Sequence, residues 1–216
     1  MNSNREDYLK VIYENGGLKH PVSNKIICEK LGVAPGSVSE MLSKLHKLGL
    51  VESVSRKGVM LTSEGLSICF KLIRTHRLWE VFLMRHLHYS WREAHEEAHL
   101  LEHIATDKMI DRLDLFLNFP DVCPHGEHIP RTKELLNLET ELETLDKLEV
   151  DEVAVISKID EEGELLDYLE EVGLKIGEKI IVKSKKHYEG GMVFLQNNKM
   201  IDISHKAATH IFIERI

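Results

Sequence analysis

The stretch VSNKIICEKLGVAPGSVSEMLSKLHKLGLVESVSRKGVML, residues 22–61, decides how the chain begins. Ile26, Ile27 and Leu31 recur at helical spacing after Val22-Ser23 and stop at Gly32, which predicts a short helix. A further helix begins near Pro35, whose fixed φ suits a first helical turn, and carries Val38, Met41, Leu42 and Leu45 toward Gly49. Val51–Val54 and Val59–Leu61 read as short strands around Ser55-Arg56-Lys57-Gly58, a hairpin with a basic tip. Upstream, Tyr8, Leu9, Ile12 and Tyr13 form a first helix that ends at Gly16-Gly17. Helix, helix, turn, helix and basic hairpin is the order of a winged helix-turn-helix.

Downstream of this unit the pattern stays helical. Ser63-Glu64-Gly65 opens a helix carrying Leu66, Phe70, Ile73, Leu78, Phe82 and Leu83, and Tyr89-Ser90 marks a break. One further helix is predicted from Trp91 to Asn118, stopped by Pro120. Its Ile104, Met109, Ile110, Leu113, Leu115 and Phe116 form a wide apolar face that must be covered by the chain's own core or by a second copy. Residues 120–132 are a loop with three prolines, and Glu134 to Lys147 reads as a charged linker of helical character. From Glu152 the period changes to short strands at Val153–Ile156, Lys179–Val182, Met192–Leu195, Met200–Ile203 and Ile211–Ile213, interrupted by one helix, Glu164 to Val172. The expected fold is therefore mainly α with a small β-barrel of the Src-homology type. Its domains are a winged helix-turn-helix over 1–63, a helical dimerisation and metal-binding domain over 64–132, a linker over 133–150 and the barrel over 151–216.

Composition narrows the class. The chain of 216 residues is 43% hydrophobic and 30% charged, as ordinary globular chains are. No run approaches the roughly 18 apolar residues of a membrane span, and the start MNSNREDYLK lacks a signal peptide's apolar core, so a cytoplasmic location with no membrane partner is expected. Cys28, Cys69 and Cys123 lie far apart with no C-x-x-C pair, which argues against a disulfide framework or a cysteine-only zinc site. A net charge of -8 counts against nucleic acid at first sight, but residues 1–75 carry 11 Lys and Arg against 7 Asp and Glu, a local +4 that leaves -12 for the rest. A basic reader joined to an acidic body is a pointer to DNA.

Six of the 13 histidines fall between His76 and His103. In His95-Glu96-Glu97-Ala98-His99-Leu100-Leu101-Glu102-His103, positions 95, 99, 102 and 103 share one face if the segment is one helix. His76 and Glu80 are likewise one turn apart. A single helical histidine is more often a hydrogen-bonded or solvated residue than a ligand, but imidazoles and carboxylates repeated at one-turn spacing on two faces favour a divalent ion. The nitrogen and oxygen mixture, with few thiols, fits manganese or ferrous iron better than structural zinc. His95-Glu96-Glu97-Ala98-His99 also matches the H-E-x-x-H pattern of zinc proteases, which keeps a metal-dependent hydrolase with an accessory winged helix as the alternative. Against it, Glu102 and His103 would crowd the open position a catalytic metal needs.

Thr75-His76-Arg77-Leu78-Trp79-Glu80, His95-Glu96-Glu97-Ala98, Glu102-His103 and Cys123-Pro124-His125-Gly126, behind a winged helix, resemble the diphtheria toxin repressor family of metal-dependent transcriptional regulators. The likeness is greatest to the manganese transport regulator branch with an extra C-terminal domain. Leu165–Leu169, Gly173–Gly177 and Ile203-Ser204 to Ala208 are similar to the ferrous-iron-transport-A-like barrel of such proteins. The resemblance implies two metal sites per subunit. One uses His76, Glu80 and His95, completed by a barrel residue that Asp160 matches; the other uses Asp7, His99, Glu102 and His103. Asp7 stands where the iron-type branch carries methionine, which favours manganese, whereas His99 stands where the manganese branch carries Glu and opens the set to iron, zinc or cobalt. Cys123 and His125 join the candidate ligands from a nearby loop.

The implied protein is not an enzyme and takes no small-molecule substrate. It is a homodimer that represses metal-uptake genes on double-stranded operator DNA, with manganese as its ion and an iron- or zinc-responsive regulator of the same family as the alternative. On the DNA side, Pro35, Ser37, Ser39 and Lys44 of the third helix face the groove, and Asn24, Lys25, Lys44, Arg56 and Lys57 supply phosphate contacts.

Overall fold

The computed structural model describes residues 3–131, 142–186 and 190–216. They divide into two compact units, one of Met1–His76, Leu100–Ala105 and Pro130–Leu138, the other of Arg77–His99, Thr106–Ile129 and Glu139–Ile216.

The first unit holds α1 (Ser3–Glu14), α2 (Asn24–Leu31), α3 (Pro35–Lys47), β1 (Val51–Val54) and β2 (Gly58–Leu61). Ser23 caps α2 by accepting the Ile26 N–H, and α3 starts on Pro35 as its sequence predicts. The apolar stripes of the three helices meet at Leu9, Ile12, Ile27, Val38 and Leu45, all fully buried. Antiparallel β1 and β2 pair Val51 with Leu61 and Val54 with Gly58, and Val59 also bridges to Val22. Gly58 has φ +131, and a Cβ there would meet the Val22 carbonyl at 2.0 Å, so only glycine lets the wing lie against the start of α2. This is the expected winged helix-turn-helix.

Helix α4 spans Ser63–Leu87 and α5 spans Trp91–Leu101. The single helix expected from Trp91 to Asn118 is broken. Glu102–Ile104 form a turn, Thr106 accepts the Met109 N–H as a new N-cap, and α6 runs Asp107–Phe116. The cap residue offers a hydrogen bond that continuing the helix would forfeit, which hydrophobic spacing alone does not register.

The second unit carries an all-antiparallel six-stranded sheet in the order β3-β8-β4-β5-β6-β7. Its strands are β3 (Glu143–Thr144), β4 (Val153–Ile159), β5 (Lys179–Lys185), β6 (Met192–Gln196), β7 (Lys199–Ile203) and β8 (Ile211–Arg215). Register shifts at Ile156/Lys158 against β8 and at Val182/Ser184 against β6 bend the sheet around Ile156, Ile159, Ile180, Phe194 and Ile211. Helix α7 (Gly163–Val172) adds Leu166 and Leu169 to that core, and Trp91 of α5 packs into the same cluster. This is the strand set of the expected small barrel. Two pieces were too short for periodicity to reveal, β3 and α8 (His205–Ala208). Of the expected helical linker, residues 134–141 lie outside the described residues; from Glu143 the chain is strand and then a 3-10 turn, Leu145–Lys147. Among the described residues, no helix is long and apolar enough to cross a membrane.

Candidate metal centre

Spacing alone puts His95, His99, Glu102 and His103 on one face of a single helix; in the structure His95 stands in one group of donors and Glu102 and His103 in another. In the first unit, Asp7, Glu102 and His103 bring ligand atoms within 4.8 Å of one another. Asp7 comes from the first turns of α1, and Glu102 and His103 from the turn after α5. His103 Nε2 stands 3.0 Å from Asp7 Oδ1 and 3.5 Å from Glu102 Oε1. Its other nitrogen, Nδ1, pairs with Glu6 Oε2 at 2.8 Å, the carboxylate contact that fixes the orientation of a ligand imidazole. Glu6 escaped the sequence reading, although its place beside Asp7 in the acidic start of α1 is the signal for it. His99 is exposed and one helical turn before Glu102 and His103. Glu102 is buried and its Oε2 has two close neighbours, Lys10 Nζ at 2.9 Å and His76 Nδ1 at 2.6 Å.

The second unit gathers Glu80 of α4, His95 of α5, Cys123 and His125 of the loop after α6, and Glu161 just beyond β4. His76 lies one turn before Glu80 on α4. Glu80 Oε1 is 3.1 Å from Nδ1 of both His95 and His125. Glu161 lies 3.5 Å from each of the same two nitrogens. Glu80 and His125 are fully buried. Burial pushes the His125 imidazole down, but Glu80, a hydrogen bond with Cys123 and the Glu161 carboxylate outweigh it and hold its pKa well above the ordinary value. Burial, with Glu80 adding to it, pushes the Cys123 thiol up to about 12.

Backbone contacts build this loop. The Cys123 N–H donates to the Glu127 carbonyl at 2.8 Å, and the Ile159 N–H donates to the His125 carbonyl at 3.1 Å, tying the loop to the end of β4. Gly126 between them has φ +88, and a Cβ there would meet the Ser157 carbonyl at 2.0 Å. Arg77 reaches the same loop, donating to the His128 carbonyl and, at 3.2 Å, to Glu127.

Asp160, the expected barrel ligand, stands outside the donor group, and its neighbour Glu161 stands in it. The Asp160 carboxylate pairs with His210 Nδ1 at 2.7 Å, while Glu161 takes the place beside Glu80 and His95. Successive residues leaving a strand point opposite ways, so a one-residue difference exchanges the side chain that faces the centre. Glu96, the residue a zinc protease would use as its base, is exposed and pairs with Arg92 at 2.7 Å. The H-E-x-x-H match therefore has its glutamate engaged on the surface.

These donors fit a divalent cation. His125 Nε2 is buried with no hydrogen-bond partner, and a protonated imidazole among carboxylates is an arrangement that a metal ion replaces by displacing the proton. Oxygen and nitrogen dominate both groups, and one thiol adds a softer donor to the second.

On the reader, Asn24, Lys25, Pro35, Ser37, Ser39, Lys44, Arg56 and Lys57 are all exposed. Asn24 Nδ2 donates to Ser39 Oγ at 3.4 Å, and Ser39 in turn donates to the Pro35 carbonyl at 3.0 Å. Lys44 is 2.7 Å from Glu40 and Lys25 is 3.8 Å from Glu29, so both helix lysines share their charge with acids of their own helix.

Three family models tile the chain: the N-terminal DNA-binding domain of iron-dependent repressors over residues 1–59, their metal-binding and dimerisation domain over 62–131, and the FeoA domain over 143–215. An uncharacterised HTH-type transcriptional regulator of Methanocaldococcus jannaschii is 33% identical over 121 residues, which cover 54% of this chain and 94% of that protein. The structure of the manganese regulator SloR is 38% identical with a TM-score of 0.77, covering 98% of both chains. A manganese-dependent transcriptional repressor in complex with manganese is 28% identical with a TM-score of 0.85, covering 98% of this chain and all of the other. The chain belongs to the iron-dependent repressor family, the metal-dependent transcriptional regulators that include the diphtheria toxin repressor.

Proposed function

We propose that this chain is a manganese-responsive repressor that binds operator DNA as a homodimer and controls metal-uptake genes. The observation that carries the reading is the Asp7, Glu102 and His103 group. Asp7 belongs to the first helix of the winged unit, and its partners belong to the turn after α5. A divalent ion held there fastens α1 to that turn and shifts the population toward the form that fits DNA. The dimer sets the spacing of two recognition helices, which must match half-sites about one helical turn, ~34 Å, apart.

A hard carboxylate at Asp7 supports manganese, as does the likeness to manganese regulators. His99 and Cys123 widen the set toward iron, zinc or cobalt as ions that bind in vitro. Dimerisation is supported by the second side of α6. Ile110 and Leu113 are buried, but Met109, Leu115, Phe116 and Phe119 remain exposed, an apolar patch that a second copy would cover. Fluorescence anisotropy with operator DNA tests the proposal. Manganese should tighten binding over EDTA, and equal affinity in the two would defeat it.

A further inference from the structure

Lys10 lies on α1, three residues after Asp7, with a side chain only 13% exposed. Its Nζ donates to Glu102 Oε2 at 2.9 Å and stands 3.4 Å from His76 Nδ1, which itself meets the same oxygen at 2.6 Å. The Glu102 side chain is fully buried. A pairing this enclosed is held far more firmly than a surface ion pair, because each charge would be costly to leave alone. The other oxygen of Glu102 faces His103 Nε2, in the group with Asp7. One buried carboxylate is thus claimed by an ammonium on one side and by the donor set of a divalent ion on the other.

We propose that Lys10 sets the metal threshold of this regulator, its ammonium competing with the metal ion for the Glu102 carboxylate. The inference rests on reading Asp7, Glu102 and His103 as a metal site. A carboxylate already neutralised by an ammonium is a poorer donor, and the two cations repel each other across a region of low dielectric. Metal entry at the other oxygen therefore works against the Lys10 contact. Without metal, the same contact stabilises the fold by keeping Glu102 paired. Lys10 acts in opposite directions on the two states, which separates it from a residue that merely orients Glu102 toward the ion.

The test is manganese titration calorimetry of the EDTA-stripped full chain, comparing wild type with Lys10→Gln, Lys10→Met and Lys10→Arg. Asp7→Ala identifies the phase of the isotherm that belongs to this group. Thermal melting in EDTA reports the fold of each variant. The expected result is at least about tenfold tighter manganese binding in K10Q and K10M, against the 10–100-fold weakening that loss of an orienting outer-shell partner gives. Their metal-free melting temperatures should fall, and K10R, which keeps the charge, should retain the wild-type affinity. Unchanged or weaker binding in whichever neutral variant is folded overturns the inference while leaving the metal site standing. A wild-type chain that shows no Asp7-dependent manganese phase overturns both.

Discussion

His125 Nδ1 lies 3.1 Å from Glu80 Oε1, and neither side chain reaches solvent. The pair joins the loop after α6 to α4 and leaves His125 Nε2 buried without a hydrogen bond, an arrangement suited to a cation.

Glu80→Gln should destabilise the metal-free protein. It removes the main anion that keeps the His125 imidazole charged, and breaking one partner of a buried pair typically costs about 3–5 kcal/mol. Denaturant unfolding in EDTA should show that loss, and its absence would mean that His125 relaxes to a neutral ring at no cost.

Gly126→Ala should act on the second donor group and spare the first. The strained φ and the close Ser157 carbonyl force the loop off β4, for about 1–3 kcal/mol of destabilisation. Calorimetric titration should then show the second group, with Cys123 and His125, weakened while the phase lost in Asp7→Ala is retained.

Manganese should raise the melting temperature of the wild type. A ligand at 100 times its Kd adds about 2.7 kcal/mol to the folded state. His103→Ala should lose a large part of the shift, because it removes both a donor and the partner of Glu6.

Asp146 gives the acid sensitivity a sign. Burial alone would raise its pKa, but hydrogen bonds from Thr144 and Lys147 outweigh burial and hold it below the ordinary 3.8. A carboxylate lowered in the fold stabilises it above the unfolded value, and that contribution disappears as the pH falls through the folded value. Asp146→Asn should therefore lower stability near neutrality and narrow its difference from wild type below about pH 3.8, as melting curves across that range would show.

The wing tip should contribute charge more than sequence information. Replacing Arg56 or Lys57 by Ala should weaken binding to any DNA sequence and reduce the slope of log affinity against log salt by about one each. Lys44→Ala should change that slope less, because Glu40 already holds its ammonium at 2.7 Å.

Much of the architecture was legible because it is written at short range. Ser23 and Pro35 mark helix starts, Gly32 a helix end, and the Val51–Leu61 hairpin announces its turn, each through the conformational preferences of a few neighbouring residues. The candidate donors were legible for the same reason, since His76 with Glu80 and His99 with His103 show one-turn spacing. That spacing also misled. It joined α5 to α6, because apolar periodicity continues through Glu102–Ile104 while the Thr106 cap restarts the helix.

By itself the sequence determined the winged helix-turn-helix, the strand set of the C-terminal domain, the asymmetry of charge and the inventory of candidate donor side chains, all properties of local spacing and composition. Spacing alone did not decide how those side chains group, although the family resemblance already set His95 with Glu80 and His103 with Asp7. The tertiary structure added Glu6 behind His103, brought Cys123 and His125 beside Glu80 and set Glu161, rather than Asp160, next to them. It also placed Lys10 on Glu102. The physical reason is that a donor set is assembled from segments as far apart as residues 7 and 103, so its membership follows from packing and from which way a strand end faces, neither of which local periodicity encodes.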